Sequence, residues 1–164
     1  AQVTRIACEL SVSFRSGSII WQGHEVTTDI RTEQIGNLAS QIAALPSVRA
    51  ALLDWQRQQA RAPGLVADGR DMGTVVFPQA VLKIFLTASA EERAKRRYQQ
   101  LEQRGITANI SSLAATIRER DERDQQRPDS PLIPAQDATL LDSTNLPIAE
   151  VLKRVLQIAH ERGL

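Results

Sequence analysis

Gly64-Leu-Val-Ala-Asp-Gly-Arg-Asp-Met-Gly-Thr-Val-Val-Phe-Pro78 is the stretch on which the reading of this 164-residue chain turns. It opens with a short apolar run, Leu65-Val66-Ala67, the pattern of a buried strand. Asp68, Gly69, Arg70, Asp71 and Gly73 follow in quick succession. A strand over 64–68 would release two carboxylates and a guanidinium at its carboxyl end, where open α/β sheets bind ligands. The glycines beside them would let a ligand approach the backbone. The same residue types also make ordinary polar turns in which an aspartate caps the next element. Spacing alone leaves both readings open.

Downstream, Val81-Leu-Lys-Ile-Phe-Leu86 reads as a second buried strand. Ser89-Ala-Glu-Glu92 fits a capping box, and the helix it starts is expected to run to Gly105 at its C′ position. That helix carries Arg93, Arg96 and Arg97. Asn109 starts another, with Leu113 and Ile117 on its apolar side. Its later part, Arg118-Glu-Arg-Asp-Glu-Arg-Asp-Gln-Gln-Arg127, puts Arg120, Asp124 and Arg127 at i, i+4 and i+7 on one face, with Arg123 beside them. Such a run reads either as a solvated helix whose exposed pairs contribute ~0.3–0.5 kcal/mol each, or as a phosphate-binding face, which suits arginine's planar fork. It ends in Pro128-Asp-Ser-Pro131, a natural hinge. Ala138-Thr-Leu-Leu-Asp142 is a third strand, and Pro147 opens a closing helix. Ile148, Val151, Leu152, Val155 and Leu156 form its packing stripe, expected to be core. Alternating strands and helices predict a parallel sheet with crossover helices, built on 64–68, 81–86 and 138–142.

Upstream, residues 11–27 alternate polar and apolar positions between the turn signals Ser16-Gly17 and Gly23-His24, predicting a small antiparallel meander. From Thr32 the period becomes helical, with Ile35, Leu38, Ala39 and Ile42 in one stripe. Pro46 breaks that helix, Ser47 can cap a second, and Val48, Leu52 and Trp55 carry it to about Arg61. Ser40 and Arg49 sit near this joint, and by spacing alone they belong to solvated helix faces. The opening residues show no helix cap. The chain begins with alanine, so an earlier part is expected to be unrepresented.

Composition bounds the function. Hydrophobic residues are 42% and charged residues 24%, the mix of a globular domain. Net charge is +1, so bulk charge argues for neither nucleic acid nor membrane. Aromatic residues, at 4%, are too few for a base-stacking platform. One cysteine, Cys8, excludes an internal disulfide and fits a reducing, cytoplasmic setting. Two histidines and that cysteine make no metal site.

Three motifs together resemble the bacterial cytidylate kinase family. They are Asp68-Gly-Arg-Asp-Met-Gly-Thr-Val-Val-Phe-Pro78, the pair Ser40-Gln-Ile-Ala-Ala and Pro46-Ser-Val-Arg49, and Arg118–Arg127 followed by Leu141-Asp-Ser. The order and spacing hold along essentially the whole chain. The resemblance implies an α/β fold: a three-layer parallel sheet of the P-loop nucleoside-monophosphate-kinase type, incomplete at its N-terminus, with a small antiparallel insert. It divides the chain into that insert at 1–31, a helical CMP-binding region at 32–62, and the rest of the core at 63–164 with a lid at 118–131. It implies ATP- and Mg²⁺-dependent phosphorylation of CMP and dCMP by a protein that is a monomer when complete, with neither nucleic acid nor membrane as partner. Ser40, Arg49 and Asp71 would recognise cytosine, Arg120 and Asp124 the sugar hydroxyls, and Arg70 and Arg127 the α-phosphate. Asp68, Arg70 and Arg127 would be the catalytic set. Arg96 and Arg123 would serve the lid and ATP side. No residue would ligate metal directly; Mg²⁺ would arrive with ATP, supported by Asp68 through water.

The chemistry of the base agrees with that set. Cytosine offers an amino donor and the acceptors N3 and O2, which a carboxylate, a serine oxygen and an arginine match. Uracil places a carbonyl where the amine was, facing the same carboxylate. One departure stands out. The family's G-x-x-x-x-G-K-[ST] loop, which cradles ATP phosphates, has no counterpart in these residues, and Lys83, Lys95 and Lys153 lie in no glycine-rich context. In the family that loop precedes the region where this chain starts. These 164 residues alone are therefore expected to carry the CMP-binding half and to be inactive in phosphoryl transfer. The alternative is a non-catalytic nucleotide-binding or interaction fragment.

Overall fold

The computed structural model describes residues 2–164. The chain divides into two compact units, Ala1–Val66 and Ala67–Leu164.

The first unit opens with helix α1, Gln2–Cys8, which no sequence signal announced because it lacks a cap residue. It packs on a later helix of the unit, α3 (Pro46–Arg57), where Thr4 and Ser47 share a hydroxyl hydrogen bond of 3.0 Å. The expected meander is present as β1 (Val12–Arg15), β2 (Ser18–Trp21) and β3 (His24–Glu25), with Ser13 opposite Ile20 and Trp21 opposite His24. Glu25 accepts hydrogen bonds from the Ser18 and Thr27 hydroxyls, in that order of effect, and they hold its carboxyl below the usual range. Helix α2, Glu33–Ala43, starts where the period changes, with Thr32 accepting from the Ile35 amide. α3 begins two residues earlier than a Ser47 cap would place it. Pro46 occupies its first turn, where a missing N–H costs nothing, so Leu45 rather than Ser47 is the cap residue. It also ends at Arg57 rather than near Arg61.

The second unit corrects the opening stretch. Residues 64–68 form no strand: Leu65 is 45% exposed and Val66 99%. An extended segment becomes a strand only when a neighbour takes its N–H and C=O groups, and among the described residues 64–68 have no ladder partner. The parallel sheet consists of β4 (Ile84–Thr87) and β5 (Thr139–Asp142), in register from Ile84 opposite Thr139 to Thr87 opposite Asp142. β4 starts later than the apolar run.

Between the strands lie α4 (Ala90–Glu102), capped by Ser89 on the Glu92 amide, and α5 (Ile110–Gln126), capped by Asn109 on the Ser112 amide. The C-cap of α4 is Gln103, so Gly105 falls one position beyond its expected C′ place. Ala94, Leu101, Leu113 and Ala114 form the buried seam between α4 and α5. The two alanines leave out the side-chain volume that would hold the helices apart. Ion pairs Arg93–Asp121 and Arg118–Glu91 bridge the same two helices.

The closing helix α6, Ile148–Glu161, has the expected apolar period but is not core: none of its residues is buried, and Ile148 is 88% exposed. A two-stranded sheet offers too narrow a face to cover a 14-residue helix. The mixed α/β character holds, with a parallel sheet and a separate small antiparallel one.

Candidate functional site

The second unit gathers charge around one carboxylate. Asp124, in the last turn and a half of α5, is 2% exposed. Arg70 reaches it from the 68–71 loop, donating from Nε to Oδ2 at 2.8 Å. Arg120, one turn earlier, and Arg127, at the C-cap, each bring a guanidinium nitrogen within 3.9 Å of its oxygens. The helical spacing read from the sequence is the reason, because four residues back and three forward bracket Asp124 on one face. Arg127 is further fixed: its Nε donates to the Ser130 carbonyl at 2.6 Å, and the Leu132 amide returns to the Asp124 carbonyl at 2.8 Å. The second bond satisfies a carbonyl that the end of the helix leaves open. Pro128–Pro131 is therefore a folded-back clasp, with Ser130 at φ 51°. Three guanidiniums thus converge on a single carboxylate. The side chains of Arg70 and Arg120 remain 33% and 34% exposed. Arginine forks suit bidentate pairing with planar or tetrahedral oxyanions.

Asp71 is 7% exposed, and its carbonyl accepts the amides of Val75 and Val76 at 2.9 and 3.2 Å. It thus starts a single wide turn, Met72–Val76. Asp68 is exposed. Ser40 and Arg49 lie in the first unit. Ser40, 4% exposed, faces inward on α2, and Arg49 donates to the Ala43 carbonyl at the end of that helix at 3.2 Å. The solvated-face alternative fails for Ser40 on burial, while Arg49 is half-buried and tied to the end of α2. Arg96 is held by Glu92 at 3.0 Å and by the carbonyl of buried Ser143 at 2.5 Å, and Arg123 by Glu119 at 2.9 Å. So Arg70, Arg120, Asp124 and Arg127 come together in one cluster, while Arg96 and Arg123 are engaged elsewhere.

Two features went unread in the sequence. The carboxyl ends of β4 and β5 are tied to the start of α4. Ser143 donates to the Thr87 carbonyl at 3.0 Å, and the Ser89 amide donates to Thr144 Oγ1, also at 3.0 Å. The Thr144 hydroxyl and amide both donate to Asp142, the hydroxyl with the larger effect, and hold its carboxyl below the usual range. The other feature is Lys83, whose side chain is only 8% exposed. Its signal was available: a lone lysine inside the apolar run Val81–Leu86.

The second unit is thus a parallel α/β unit that carries an arginine–aspartate cluster at the end of α5. The family described as cytidylate kinase matches residues 1–161, and the chain belongs to that family. It is 63% identical over 146 residues to a cytidylate kinase of Stutzerimonas stutzeri, covering 89% of this chain and 64% of that protein. It is 58% identical over 143 residues to one from Serratia proteamaculans, covering 87% and 62%. Against one from Pseudomonas aeruginosa it is 58% identical over 164 residues, covering 96% and 72%. The chain thus spans just under two thirds of the length of the first two relatives.

Proposed function

We infer that this chain carries the acceptor half of an ATP-dependent cytidylate kinase, a cytoplasmic monomer that converts CMP and dCMP to the diphosphates. The observation that carries the reading is the three-to-one arrangement of Arg70, Arg120 and Arg127 on buried Asp124. Arg70 and Arg127 hold the α-phosphate, and its oxygen attacks the γ-phosphorus of ATP as the bond to ADP breaks. Arg120 and Asp124 hold the sugar hydroxyls. Binding displaces part of the Arg–Asp124 pairing, so the arginines exchange one carboxylate for a dianion with little reorganisation. Phosphoryl transfer of this kind needs positioning and charge neutralisation more than covalent chemistry.

Ser40, Arg49 and Asp71 carry the donors and acceptors that match cytosine, and family membership supports that assignment. Arg96 and Arg123 belong to the ATP side in the same scheme. Asp68, an exposed carboxylate on the loop that ends at Asp71, suits a hard oxygen-ligated cation. It would hold Mg²⁺ through water, and the ion would neutralise charge on the transferring phosphate. The test is steady-state turnover of CMP and UMP by the full-length protein with ATP and Mg²⁺. A kcat/KM at least ~10²-fold higher for CMP is expected, since a site built to bond a substrate's polar group rejects analogues lacking it. Equal values for the two nucleotides would overturn the cytosine assignment.

A further inference from the structure

We propose that Lys83 is a positioning residue for the base-recognition end of the acceptor site, acting through the turn that carries Asp71. The inference rests on the CMP reading above. Lys83 lies just before β4, with its carbonyl fixed by the Thr139 amide at 2.9 Å. Its Nζ donates to the Pro78 carbonyl at 2.6 Å and to the two Asp137 oxygens at 2.9 and 2.8 Å. An ammonium has three donors, and all three are spent within the protein. Lys83 therefore offers nothing to a ligand. A lysine is buried to this degree only when its charge is paired, and what the pairing secures is the turn.

That turn has two ends. At one, the Asp71 carbonyl gathers the Val75 and Val76 amides; at the other, Phe77 closes on the Met72 carbonyl at 2.7 Å, and Pro78 is gripped by Lys83. The stem of Lys83 runs along Gly73 between them. A Cβ at Gly73 would stand 3.2 Å from Lys83 Cδ and 3.4 Å from Cγ, so the absence of a side chain there is what admits the stem. Val76, 2% exposed, and Asp71, 7%, are sealed on the inner side of the turn. Asp71 therefore stands at the head of the turn whose far end Lys83 holds.

The test compares full-length wild type with Lys83→Met, which keeps the stem and loses the three donors, and with Lys83→Arg. The expected result for Lys83→Met is a KM for CMP raised about tenfold, the low end of what removing a supporting partner costs a site. The CMP-over-UMP preference should shrink by the same factor, while kcat and the KM for ATP stay within about twofold and Lys83→Arg recovers part of the loss. A lysine that only stabilised the fold would lower the melting temperature and the active fraction but leave KM and the preference untouched; that result overturns the proposal. Should Lys83→Met fail to fold, Asp137→Asn decides. Its target is exposed and the Pro78 bond survives, so the same shift at smaller size is expected, and wild-type KM and preference would refute the role. A wild type without preference for CMP would instead refute the cytosine reading itself, before any variant is made.

Discussion

Helix α5 presents the same kinds of residue on two faces with opposite consequences. In solvent-facing pairs Arg118 bonds Glu91 and Arg123, which lies beside the cluster, bonds Glu119; the carboxylates are 65% and 72% exposed. On the inner face, Arg120 and Arg127 share Asp124 with Arg70, and the carboxylate side chain is 3% exposed. All six side chains from α5 and its cap fall within Arg118–Arg127. The difference teaches that neither the density of arginine nor the number of ion pairs marks a binding face. Two properties do. One is sharing: the outer arginines each bond a different exposed carboxylate, while three inner guanidiniums converge on one. The other is burial, which strengthens every interaction there by lowering the local dielectric and makes an unmatched charge expensive.

The strongest way to break this comparison is Arg127→Ala. If the inner face grips phosphate, kcat/KM for CMP in the full-length protein should fall about 10²–10³-fold, below the ~10³–10⁵ of a lone arginine finger because Arg70 shares the role. Arg127→Lys should recover only part, since an ammonium lacks the bidentate fork. Arg123→Ala should be milder, and Arg118→Ala, on the outer face, should leave turnover unchanged. Steady-state kinetics with parallel thermal melts check all four. Wild-type kcat/KM in Arg127→Ala would make the inner face no different from the outer one.

Asp124→Asn attacks the same cluster through stability. It leaves three arginines without their buried counter-charge. Breaking a buried pair costs ~3–5 kcal/mol, and the partial exposure of Arg70 and Arg120 reduces the expectation to ~2–3 kcal/mol. The melting temperature should fall by roughly 5–10 °C for a chain of this size. Because the variant's site is more positive, the loss should shrink in phosphate buffer relative to chloride at equal ionic strength. A loss of the same size in both buffers would separate the cluster from anion binding.

Much of this contrast was legible. The period i, i+4, i+7 placed Arg120, Asp124 and Arg127 together before any coordinates, and Thr32, Ser89 and Asn109 marked their helix starts correctly. What pattern could not supply was the partner. Leu65–Ala67 has the composition of a strand and α6 the stripe of a core helix, yet Val66 and Ile148 are open to solvent. Periodicity reports which face would be buried; whether something covers it is a property of the surrounding chain. For the same reason the helical pattern does not distinguish buried Ser40 from a surface serine, nor does the apolar run announce that Lys83 is buried.

The smallest expected effect sharpens the comparison from the outer face. Glu91 is held below the usual carboxylate range first by its hydrogen bond from Arg118, then by its own backbone amide, then by the Arg118 charge. A carboxyl whose folded pKa is depressed contributes stability above its unfolded pKa, near 4.5, and loses it as pH falls through the folded value. The difference in melting temperature between wild type and Glu91→Gln should therefore be constant from pH 6 to 8 and decline as the pH falls below 4.5 through the lower folded value. It should be close to the limit of measurement throughout, because a fully exposed pair gains little over its separate hydration. Raising salt to 1 M contracts the screening length to about 3 Å, and the difference should then disappear even at pH 7. The Asp124→Asn difference should survive that salt in chloride in larger part, since the Asp124 carboxylate is only 3% exposed. If Glu91→Gln instead cost as much as Asp124→Asn, or proved equally indifferent to salt, burial would not be what separates the two faces of α5, and the phosphate reading would have to stand on the shared carboxylate alone.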